Sequence, residues 1–84
     1  MDLPSSFTAL IDEMAGGKRR RTWLAVQLGR TYWQVNYWAK INNIPVQFWN
    51  DVISLASNQK MEGVNWEYLI SLRKKGRRKN LARA

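Results

Sequence analysis

Apolar residues in this chain return every three or four positions, and no stretch alternates apolar with polar residues between hairpin turns. Phe7, Leu10, Ile11 and Met14 fall at i, i+3, i+4, i+7, and so do Trp49, Val52, Ile53 and Ala56. That period puts each set on one face of a helix, whereas a half-buried strand needs a period of two. The pattern therefore predicts an all-α chain.

Local signals divide the pattern into five short helices. Pro4 with Ser5 and Ser6 marks the start of the first, and Gly16-Gly17 its end, because glycine accepts the left-handed conformation past a helix C-terminus. A second helix is predicted over Arg20 to Leu28, with Trp23, Leu24 and Leu28 inward, and Gly29 breaks it. Thr31 is the expected cap of a third helix, Tyr32 to about Ile41, and Gln34 three residues on completes a capping box. Val35 and Trp38 form its inward stripe. After Asn42-Asn43, Pro45 fits the first turn of a fourth helix reaching about Ser57. Asn65 caps a last helix, Trp66 to about Lys75, with Trp66, Leu69 and Ile70 inward. The expectation is a compact bundle around one core. At 84 residues, 45% hydrophobic, the chain has the length and the apolar content for a single small domain.

The charge is concentrated. Lys and Arg number 14 against 6 Asp and Glu, a net +8. Arg73–Ala84 holds seven basic residues and no acid, which leaves residues 1–72 with seven basic and six acidic groups and a net of +1. Four of those seven form the run Lys18-Arg19-Arg20-Arg21. Residues 1–72 thus read as the folded domain, and 73–84 as a basic, partly flexible tail. A basic cluster inside the folded region, added to a basic tail, favours nucleic acid as the partner over a membrane surface.

The same composition argues against chemistry. Without cysteine or histidine there is no disulfide, no thiolate zinc site and no histidine general base. Asp12 and Glu13 are the only adjacent carboxylates, and neighbours on a helix face different ways. No enzyme, metal, cofactor or small-molecule ligand is expected. No apolar run reaches the length of a membrane span, and Met1–Ala15 carries acids rather than a basic leader. A cytoplasmic protein is the expectation.

Around Gly29 the chain reads RTWLAVQLGRTYWQVNYWAK over 21–40. This resembles the DNA-binding helix-turn-helix of the lambda-repressor and Cro superfamily. The family places a small residue four before the turn glycine, here Ala25, and aliphatics five and one before, here Leu24 and Leu28. A β-branched residue stands six after and an apolar one nine after, here Val35 and Trp38. Trp38, Ile44-Pro45 and Phe48-Trp49 are similar to the pattern of small Cro-type and YdaS-like phage and bacterial regulators. Gly63–Leu69 resembles, more weakly, their short last helix. The likeness spans about residues 20–72. One position departs from it: the residue after the turn glycine is usually apolar, and here it is Arg30, whose stem can cover the core while its guanidinium reaches out.

The resemblance implies a lambda repressor-like fold, with the third helix as recognition helix. Base contacts would then come from Tyr32, Trp33 and Tyr37, flanked by Gln34 and Asn36, whose amides suit adenine. Phosphate contacts would come from Arg19, Arg20, Arg21 and Thr22 ahead of the second helix. Arg30, Thr31 and Lys40 would add to them around the third, with Asn42 and Asn43 after it. Arg73, Lys74, Lys75, Arg77, Arg78 and Lys79 would track further phosphates. The implied function is sequence-specific binding of double-stranded DNA by a transcriptional regulator or repressor. It would act as a homodimer through the fourth or last helix, at the nucleoid of a bacterial or phage-infected host. Two alternatives stay open: an adaptor contacting RNA polymerase or another regulator, and a basic DNA-packaging protein without site preference.

Overall fold

A computed structural model describes residues 3–83, with side chains through Lys75. Five α-helices, with no strand among the described residues, form a small all-α bundle. They are α1 (Phe7–Ala15), α2 (Arg21–Leu28), α3 (Tyr32–Ile41), α4 (Trp49–Asn58) and α5 (Trp66–Arg83). Single 3-10 turns at Lys18–Arg20 and Val46–Phe48 lead into α2 and α4.

The local signals act as their chemistry requires. The Ala9 N–H donates to the Ser6 hydroxyl at the start of α1, and Gly16 closes that helix at φ 84°. Gly29 ends α2 in the same left-handed region, at φ 67°, which a residue with a Cβ enters only at a cost. Thr31 and Gln34 form the full capping box of α3: the Gln34 N–H donates to Thr31 Oγ1 and the Thr31 N–H to Gln34 Oε1, both at 3.1 Å. Asn65 Oδ1 accepts the Tyr68 N–H at the start of α5.

The core draws on every helix. Phe7, Leu10, Ile11 and Met14 are all buried, as are Trp49, Val52 and Ala56, while Ile53 is half-buried. Leu24, Ala25, Leu28, Val35 and Trp38 close the seam between α2 and α3. The indole of Trp49 donates to the Ile44 carbonyl at 2.8 Å, so this large ring is buried without an orphaned N–H.

Four expectations change. The fourth helix starts at Trp49, because the residues after Pro45 close a 3-10 turn first. Trp23 is half-exposed, because α2 buries Arg21, Leu24, Ala25 and Leu28, and Trp23 lies off that i, i+3, i+4, i+7 line. Trp66 and Ile70 are likewise partly exposed, since α5 turns Leu69 and Leu72 inward with Tyr68 beside them. The backbone of α5 also continues past Lys75 and Gly76 to Arg83.

Candidate nucleic-acid interface

The face singled out by the sequence is the outer side of α3, and three separate ties fix that helix from behind. Val35, Trp38 and Ala39 are buried beneath it. At its C-terminus, Asn42 adopts the left-handed conformation (φ 54°), and its Oδ1 accepts the Thr8 N–H of α1 at 3.1 Å. The Thr8 hydroxyl donates to the Ala39 carbonyl at 2.6 Å. In its middle, Asn36 Oδ1 accepts from Arg21 Nη1 at 2.8 Å.

Arg21 is a correction to the expected phosphate set. It is only 6% exposed, and its guanidinium is committed inside the protein. Nε and Nη2 hold the two oxygens of Asp12 at 2.8 and 3.1 Å, a bidentate pair, while Nη1 reaches Asn36. Burial of a guanidinium is tolerated only with such partners. The residue therefore joins α1, α2 and α3 and leaves the exposed basic run as Lys18, Arg19 and Arg20. Its place was readable in principle, since Arg21 opens the inward series completed by Leu24, Ala25 and Leu28.

The outward residues are mostly aromatic. Trp33 is 76% exposed and Tyr37 57%, and the pair stands at i and i+4 on one face. Tyr32 meets Trp33 edge to face, with centroids 5.4 Å apart. Gln34 is exposed but serves as a cap, and Asn36 is half-buried. The two residues with amide side chains are thus present at the surface of α3 with their oxygens already in use.

Cations stand before α2 and at the two ends of α3: Arg19, Arg20, Arg30 and Lys40 are all exposed, as are the uncharged Thr22 and Thr31. The guanidinium of Arg20 lies 5.6 Å from the Trp23 ring centre, and that of Arg30 lies 4.9 Å from Phe48. Phe48 in turn packs 4.9 Å from Trp38. The departure at Arg30 is thereby accommodated: its cation rests on an aromatic face at the border of the core. Asn42 and Asn43 are half-buried, and Asn42 is spent on capping α3 and binding Thr8, which weakens its expected part in holding phosphate. The side chains of Arg77, Arg78 and Lys79 lie outside the described residues.

No protein family, curated protein or solved structure matches the chain.

Sequence reasoning missed one surface. Val46, Trp66 and Ile70 line an open groove of about 460 Å³ beside Trp49, with Arg73 and Lys74 on its edge. Trp66 stacks obliquely on Trp49 at 5.1 Å. Trp66, Ile70, Arg73 and Lys74 share one helical face at i, i+4, i+7 and i+8, the signal that marks it. Among the described residues there is no group of three or more carboxylates placed to hold a metal ion, and no helix long and apolar enough to cross a membrane.

Proposed function

We propose that this chain binds double-stranded DNA sequence-specifically, with α2, the three residues 29–31 and α3 acting as a helix-turn-helix, and that it serves as a transcriptional regulator. The observation that carries the reading is the outer face of α3. Its exposed rings are useless to the core, yet the helix beneath them is fixed at its middle and at its C-terminal end. Exposed cations stand on both sides, Arg19 and Arg20 before α2, Arg30 and Lys40 at the two ends of α3. A rigid, nearly uncharged reading surface between phosphate-binding groups is the division of labour that site-specific DNA recognition needs. In this reading the protein works as a homodimer on inverted half-sites about 34 Å apart, among the nucleoid DNA of the cytoplasm.

The test is selection of bound sequences from a random duplex pool at moderate salt, followed by salt titration. The expected result is an enriched palindrome. Changing Arg19 and Arg20 to Gln should weaken every sequence alike and lower the slope of log affinity against log salt by about 0.9 for each phosphate no longer neutralised. Absence of enrichment overturns the reading. The apolar groove beside Trp66 favours a second role, docking of RNA polymerase or another regulator, which would show as partner binding that survives loss of DNA binding.

A further inference from the structure

Paired donor-and-acceptor reading of adenine from α3 falls to its two amides, Gln34 and Asn36, and both have turned their oxygens to the protein. Gln34 Oε1 accepts the Thr31 N–H at 3.1 Å and lies 3.4 Å from Thr31 Oγ1. Asn36 Oδ1 accepts from the buried guanidinium of Arg21 at 2.8 Å. Recognition of adenine by an amide uses both of its halves, an N–H donated to N7 and a carbonyl accepting from the N6 amino group. Each oxygen keeps a second lone pair, so these bonds do not block adenine; they tie each amide to a protein partner, and bidentate pairing with a base competes with that tie. The adenine preference suggested by residue type alone is weakened in this arrangement.

What remains outward is chiefly ring surface, together with the indole N–H and the phenol hydroxyls of the same residues. Trp33 is the most exposed large apolar side chain described, Tyr37 stands one turn on along the same face, and Tyr32 props Trp33 from the side. The major groove offers such a surface one apolar feature that varies with sequence, the C5-methyl group of thymine. We propose that α3 reads pyrimidine C5-methyl groups, with Trp33 as the principal contact and Tyr37 beside it. The inference rests on the DNA-binding reading and deepens it by naming the chemical group recognised. It also separates the two kinds of side chain on the helix: the amides hold α3 in place, and the rings discriminate.

Deoxyuridine differs from thymidine only in lacking this methyl, and it pairs with adenine in the same way. The experiment replaces each thymine of the enriched site in turn by deoxyuridine and measures affinity for the unaltered chain and for Trp33→Ala. At contacted positions the unaltered chain should lose about fourfold per methyl, the worth of burying one CH2-sized group. In Trp33→Ala the same replacement should make no difference at the positions that Trp33 contacts, and 5-methylcytosine opposite guanine should bind the unaltered chain more tightly than cytosine wherever a methyl is contacted. Thermal unfolding of Trp33→Ala should match the parent, since the ring lies in solvent. An enriched site that tolerates deoxyuridine at every position overturns the methyl reading and leaves sequence-specific binding standing. A pool with no enriched site overturns the DNA reading itself, and this inference with it.

Discussion

Trp33 and Trp38 sit five residues apart on one helix, and their surroundings are opposite. Trp38 is 4% exposed, wedged against Phe48 between α3 and the start of α4, while Trp33 is 76% exposed and touches mainly Tyr32. The inner face of α3 spends its aromatic surface on packing, where each ring removed from water stabilises the fold. The outer face holds the same kind of surface in water, where it stabilises nothing. The aromatic content of this chain therefore serves two separate ends. Composition alone, ten rings in 84 residues, does not separate these two ends.

Substitutions on the two faces should separate by size of effect. The largest belongs to Trp38→Ala, which should cost about 3–5 kcal/mol in urea unfolding, through lost transfer energy plus the cavity left behind. A loss below about 1 kcal/mol would mean that the inner face is not packed as described. Next is Arg21→Met, which leaves Asp12 and Asn36 without their donor. Asp12 is partly exposed and water can reach it, so the expected cost is about 2–3 kcal/mol rather than the full penalty of a buried pair. If Arg21 instead lay at the surface, equilibrium unfolding would show almost no change.

Tyr68 falls between the two extremes. It is half-buried, and its hydroxyl donates to the Pro4 carbonyl at 2.6 Å. Tyr68→Phe should cost about 1 kcal/mol near neutral pH. Burial pushes the Tyr68 hydroxyl up from 10.0 to about 12. Between those values the unfolded chain has released the proton while the folded chain keeps it, so stability falls as pH rises. This contribution is fully present below pH 10 and declines through about pH 12. The parent should therefore lose more stability than Tyr68→Phe over that window, and parallel alkaline unfolding curves would contradict the placement of this ring. The smallest stability effect belongs to Trp33→Ala, within about 0.5 kcal/mol, as for a surface side chain with few neighbours. A larger loss in a thermal melt would show that Trp33 is packed.

The helices were legible in the sequence where their signals are local. Ser6, Gly16, Gly29, and Thr31 with Gln34 each act within a few residues of themselves: α1 begins and ends at such marks, α2 ends at one and α3 begins at one. The candidate site was legible where it depends on position along one helix, as for Tyr32, Trp33 and Tyr37. It was not legible where a side chain finds its partner on another element. The basic run made Arg21 resemble its neighbours, but Asp12 lies nine residues back and Asn36 fifteen ahead, and only their meeting in space buries the guanidinium. Asn42 is a similar case, because Thr8 stands 34 residues away. On α5 the periodicity favoured Trp66, Leu69 and Ile70, whereas packing buries Leu69 and Leu72 and leaves Trp66 and Ile70 partly exposed.

The guanidinium of Arg21 and the amide of Asn42 grip α3 from two sides, so this helix has little freedom of its own to surrender. Its backbone N–H groups from Val35 onward, bonded within the helix, should exchange with deuterium only when the whole domain opens, at the same free energy as global unfolding. A partner arriving at its outer face would meet a surface already in its final shape, and association would carry little ordering entropy for the backbone beneath it.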